Sequence, residues 1–153
     1  MKKAQVQTQV FIYIIALVVV SLIMLYGYNS IKKIREQTTV VEHIQFRTDL
    51  ENTVKRISYE FGTIEKRTID VPGGYNQICF VGSETTSIDE TKYPIIQSII
   101  SSSDDNVFMV KSLAEESFYV GAITVDDGFK CFDVIGGKIN IQLEAFGEKV
   151  GIS

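Results

Sequence analysis

The chain has one histidine, two cysteines and, beyond residue 67, no arginine. Zinc sites draw four closely spaced ligands from Cys, His and carboxylates, and His43, Cys79 and Cys131 do not form that spacing. From residue 68 onward five lysines stand against thirteen Asp and Glu, a net charge of −8, whereas the whole chain carries −4. So acidic a distal half repels phosphate backbones, and no nucleic-acid partner is expected.

Other motifs are missing too. The acidic pairs Asp104-Asp105, Glu115-Glu116 and Asp126-Asp127 fall in expected loops or turns, and no Asp-x-Asp-x-Asp-Gly spacing supplies the six to eight oxygens calcium needs. The turns Pro72-Gly73-Gly74 and Gly136-Gly137 lack the following Lys-Ser/Thr of a phosphate cradle. His43 has no Ser or Cys near it in sequence and reads as a solvent-facing helix residue rather than a catalytic base. With no nucleophile–base set and no cofactor motif, no catalytic residue, metal or cofactor is assigned and no enzyme is expected.

What the chain does have is a long apolar run. From residue 10 to 28 only Ser21 and Gly27 lack a largely apolar side chain. At 1.5 Å per residue these roughly 19 residues span about 28 Å as a helix, close to the ~30 Å hydrocarbon core of a bilayer. The run has no polar face, so it must be covered on all sides, and a chain this small cannot build a core around it. A lipid bilayer is the expected surrounding. Phe11 and Tyr13 near one end and Tyr26 and Tyr28 at the other match interfacial aromatics. The run exceeds a secretory signal core, and Gly27-Tyr28-Asn29-Ser30 after it is no small-x-small cleavage site.

Proline and glycine are absent from residue 31 to 61, and the spacing there predicts a helix stopped by Gly62. Ile31, Ile34, Thr38 and Val41 line one face; Phe46, Leu50, Val54, Ile57 and Phe61 line another, rotated by more than a quarter turn. Two different partners, or a kink near residues 42–45, would account for the rotation. The second stripe is expected to pack on the chain's own distal domain.

After Gly62 the apolar period falls from 3.6 to 2. Strands are predicted at residues 63–71, 75–81, 107–110, 118–125, 129–135 and 138–146, with a short edge strand at 149–153 and a helix at 94–100 that has Pro94 in its first turn. Gly136-Gly137 predicts a two-residue hairpin between the strands that flank it. Six or seven mostly antiparallel strands against one long helix make an α+β fold. Cys79 and Cys131 both lie in predicted strands. As a pair they would close a loop of about 53 residues, worth roughly 4 kcal/mol by chain entropy, in an oxidising compartment; unpaired they would be two buried thiols.

The start of the chain, Lys3-Ala4-Gln5 followed at once by the apolar run, resembles the class III signal peptides of archaeal type IV pilin-like proteins. In that family a short basic leader ends in Gly or Ala, and a prepilin-type peptidase cuts before a Gln on the cytoplasmic side. The family pattern Gln-x-Ser-x-Glu reads here as Gln5-Val6-Gln7-Thr8-Gln9, with Gln7 in place of Ser and Gln9 in place of Glu. The resemblance covers about 25 residues. It implies cleavage between Ala4 and Gln5, retention of the apolar helix, an extracellular domain, and possible partners in like subunits packed through their N-terminal helices. The pilin Glu is thought to neutralise a neighbour's N-terminal amine, and the amide of Gln9 lacks that charge.

The expected organisation is a basic leader at 1–4, a transmembrane helix at 5–30, an amphipathic extension at 31–62 and a β-rich extracytoplasmic domain at 63–153. Lys2 and Lys3 before the span, against Lys32, Lys33 and Arg35 after it, would by count place the C-terminal domain inside. The cysteine pair and the resemblance place the N-terminus in the cytoplasm and the domain outside, and that orientation is the one expected. An uncleaved single-pass anchor carrying a binding or sensor domain is the alternative.

Overall fold

The computed structural model describes residues 3–85 and 88–153, and the side chains of these except at 3–8 and 34–39. Met1 and Lys2 of the expected leader, and Thr86 and Ser87 of a predicted loop, lie outside the described residues. The fold is α+β. One helix, α1, runs Lys3–Ser58, and the chain divides into two compact units, residues 1–40 and Val41–Ser153.

In the first unit the described chain is helix throughout, and every described side chain from Gln9 to Lys33 is exposed. Gly27 is tolerated inside it, as single glycines are at a cost near 1 kcal/mol.

The second unit begins within α1 and continues into eight strands: β1 Ile64–Asp70, β2 Gln77–Val81, β3 Val107–Val110, β4 Ala114–Phe118, β5 Ile123–Val125, β6 Phe129–Asp133, β7 Lys138–Ala145 and β8 Val150–Ile152, with α2 at Pro94–Ile100 between β2 and β3. They form two four-stranded sheets, ordered β1-β7-β8-β5 and β4-β3-β2-β6. All ladders are antiparallel except β5 with β8.

Alternation decides which side chains enter the core. Along β7, Ile139, Ile141, Leu143 and Ala145 are buried and the residues between them are not. They meet Ile123, Val150 and Ile152 of their own sheet, Ile78, Phe80, Val107, Met109 and Phe118 of the other, and Phe46, Leu50, Val54 and Ile57 of α1. Those four helix residues follow the i, i+4, i+8, i+11 spacing of one face, and burying each is worth about 1.5–3 kcal/mol. The expected inner stripe is therefore present up to Ile57. The other face of β2 and β3 carries Cys79, Val81, Phe108 and Val110, covered by Ile96 and Ile99 of α2 and by Tyr93. Covered on both faces, β2 and β3 are nearly continuous apolar runs.

Several expectations need correction. Phe61 does not join the inner stripe: α1 stops at Ser58, and Phe61 is 82% exposed. The last turn tightens through Tyr59 N–H to Arg56 C=O and Glu60 N–H to Ile57 C=O, and Gly62, at φ +80°, turns its N–H to Ala145 C=O. Tyr75 and Asn76 precede β2 rather than opening it. The strand expected at 118–125 is two strands in different sheets, broken at Gly121 with φ +120°. Strand β4, Ala114–Phe118, begins four residues before the expected strand and takes in the Glu115-Glu116 pair, which was expected in a loop or turn. Gly136-Gly137 does make a tight turn, both glycines at positive φ, but only Ile135 and Lys138 bridge across it. β6 pairs with β2 and β7 with β1 and β8, so this turn carries the chain from one sheet to the other. Finally, β8 is not an edge strand: it sits between β7 and β5.

Candidate functional site

The stretch Gln9–Lys33 is long and apolar enough to cross a membrane. Its large apolar side chains are between 47% and 80% exposed, from Val19 to Tyr26, on all sides of the helix. Its interior hydroxyl is satisfied locally, because Ser21 Oγ donates to the Leu17 carbonyl at 2.8 Å. A helix that satisfies its own backbone and its own hydroxyl is the kind of segment hydrocarbon tolerates.

Of the N-terminal motif, Ala4, Gln5, Gln7 and Gln9 are all in α1. The side chains of Ala4, Gln5 and Gln7 lie outside the described residues; Gln9 is exposed.

Cys79 and Cys131 are joined as a disulfide. They are direct register partners on β2 and β6, with Cα atoms 3.9 Å apart. Neighbouring strands bring such opposed side chains together, so the 52-residue sequence separation is closed by sheet pairing itself. Cys79 is fully buried in the smaller apolar cluster under α2, and Cys131 packs against that cluster.

His43 is not the solvent-facing residue expected. It is half-buried, its Nδ1 lies 2.7 Å from Glu116 Oε2 on β4, and its ring meets Tyr75 edge-on at 5.5 Å. Tyr75 also lies under Lys111 Nζ, 4.9 Å from the ring centre. Burial first, then Glu116 and Glu115, push the Tyr75 hydroxyl up to about 12. This group ties α1 to β4 and to the β1–β2 connection, and it adjoins the Phe46–Phe118 contact on the next turn of the helix. Sequence reading missed it because its members lie far apart in the chain; the one usable signal was that His43 falls three residues before Phe46, on the inner face.

A second link runs from α1 to β1. Arg56 holds Glu65 at 2.7 Å, which raises the guanidinium and lowers the carboxyl from their ordinary ranges. Both groups are solvated, and such pairs contribute little. Among the described residues no three His, Cys, Asp or Glu side chains gather as metal ligands would. Two clefts of about 570 Å³ each are open to solvent, one beside Ser83, Thr85, Asp104 and Tyr119 and the other beside Arg67, Thr68, Asn140 and Gln142 on β1 and β7.

Comparison of the chain with protein-family models, with curated proteins and with solved structures finds no match.

Proposed function

We propose that the chain is a membrane-anchored cell-surface protein with a structural or interaction role, of the type IV pilin-like kind, either a filament subunit or a minor accessory protein. The observation that carries the reading is the fully exposed apolar helix Gln9–Lys33, which has no polar side for water and needs a lipid bilayer or other helices around it. The cystine supports an oxidising, extracellular position for the domain. In this reading a prepilin-type peptidase removes residues 1–4, the N-terminus of the helix faces the cytoplasm, and the domain stands outside as a single-pass surface module. Like subunits are the proposed partners through the N-terminal helix; no nucleic-acid partner, cofactor or catalytic role is proposed. N-terminal sequencing of the mature protein tests the processing step: a terminus at Gln5 is expected, and an intact Met1 in native cells would overturn it.

One observation favours a second reading. Gln9 stands where the pilin pattern has Glu, so the usual partner for a neighbour's amine is missing. An uncleaved anchor bearing a binding or sensor domain needs no such charge. Negative-stain microscopy of surface preparations, with and without the gene, separates the two: a filament that depends on this chain supports the first reading, and its absence supports the second.

A further inference from the structure

The net charge of the chain is divided between its two units. Residues 1–40 hold Lys2, Lys3, Lys32, Lys33 and Arg35 against Glu36 alone, a net +4, while residues 41–153 hold ten basic and eighteen acidic side chains, a net −8. The first carboxylate of the chain is Glu36, so the apolar helix ends in a region with three bases and one acid. Glu36 can neutralise at most one of the three.

The helix arranges this end in a definite way. At 100° per residue, Asn29, Lys32 and Lys33 occupy an i, i+3, i+4 arc about 100° wide. Tyr28 lies one turn before Lys32 on nearly the same face, and Tyr26 two turns before Lys33 on its face. Lys32, Lys33, Tyr26 and Tyr28 are all exposed, the tyrosines at 80% and 72%. If the apolar run from residue 10 to 28 fills the hydrocarbon layer, Lys32 lies about 6 Å beyond its end, at the depth of lipid phosphates, with the tyrosine hydroxyls at the interface below.

We propose that Asn29, Lys32 and Lys33 form a binding site for the headgroup of an anionic phospholipid, with Tyr26, which lies within about 20° of Lys33 around the helix, packing against its upper acyl and glycerol portion while Tyr28 falls on the far side of the arc. The two ammonium groups attract the phosphate, the amide donates to its oxygens, and the apolar helix below gives the acyl chains a continuous surface. The site rests on the membrane-anchor reading and is independent of which leaflet the residues face.

The test uses the full chain reconstituted in phosphatidylcholine vesicles that contain phosphatidylglycerol. Electron spin resonance with spin-labelled phosphatidylglycerol or phosphatidylcholine measures the fraction of each lipid held by the protein. A preference of at least about fivefold for the anionic lipid is expected, since one near-surface lysine alone supplies about that ratio and the site has two. It should fall to within about twofold of unity in K32Q/K33Q and weaken in high salt. Glutamine matches lysine in helix propensity, so the variant keeps the helix. An equal hold on both lipids in the wild type, or an unchanged preference in the variant, overturns the site. Inorganic phosphate that abolishes the preference beyond chloride at matched ionic strength would overturn its assignment to lipid. Alkaline extraction of the same vesicles separates the readings: protein that stays embedded without lipid preference sinks the headgroup site alone, whereas protein that washes off sinks the anchor as well.

Discussion

Asn106 is 4% exposed and spends every polar atom of its side chain on backbone. Its Nδ2 donates to the Gly121 carbonyl at 2.7 Å and its Oδ1 accepts from Val120 N–H at 3.1 Å, so one amide holds the segment where the chain leaves β4 for the other sheet. Asn106→Ala would strand a buried donor and a nearby acceptor, and a loss of about 2–4 kcal/mol in urea unfolding is expected. Asn106→Asp keeps the acceptor for Val120 N–H but sets a second oxygen against the Gly121 carbonyl and buries a charge, so at neutral pH it should cost at least as much as Asn106→Ala. Tyr75 gives a second check at this scale. Its hydroxyl stands at about 12 in the folded chain, against about 10 unfolded. A group with a raised folded value contributes stability that is intact below about pH 10 and lost as the pH climbs toward 12. Wild type should therefore lose stability across that window, by on the order of 2 kcal/mol more than Tyr75→Phe, in denaturant titrations at fixed ionic strength. Neither residue was legible in the sequence, because a single Asn or Tyr carries no periodic signal and its partners are remote.

At the scale of elements, what the sequence revealed depended on how many faces were covered. β2 and β3 are buried on both sides and were plain as short apolar runs, and β7 announced itself by alternation. β4 was hidden, because the Glu115-Glu116 pair at its centre breaks the pattern and it lies at a sheet edge. Sheet membership was hidden as well: period 2 gives a strand its faces but not its neighbours, so a Gly-Gly turn that joins two sheets looks the same as one that closes a hairpin. The cystine follows the opposite course, since two strand-borne cysteines were visible and the register β2–β6 places them opposite each other. Replacing both, as C79A/C131A, removes a cross-link over 52 residues and should cost up to about 4 kcal/mol. Hydrogen exchange should quicken first in α2 and along β2 and β6, whose smaller apolar cluster contains the bridge, with β1 and β7 changed least. Uniform acceleration across both sheets would instead mean that the bridge supports the whole domain.

For the whole molecule, the two kinds of helix surface explain why one element belongs to two units. Up to residue 33 the described side chains of α1 are exposed and mostly apolar; from Phe46 to Ile57 one face is buried and the rest is polar or charged. The inner stripe from Phe46 to Ile57 was legible in the sequence because helical periodicity survives without knowledge of the partner; of the other expected stripe, the side chains of Ile34 and Thr38 lie outside the described residues. What the sequence left open was how far the domain depends on the apolar part. Within the second unit the buried core has its own members, which run from Phe46 to Ile152. Residues 41–153, expressed alone under oxidising conditions, are therefore expected to be soluble, monomeric at low concentration and cooperatively folded, helped by a net charge of −8. Coincident thermal transitions by far-UV and near-UV circular dichroism would check this. Separate transitions, or aggregation that only detergent relieves, would show that the apolar helix contributes to the fold of the domain and not only to its place in a membrane.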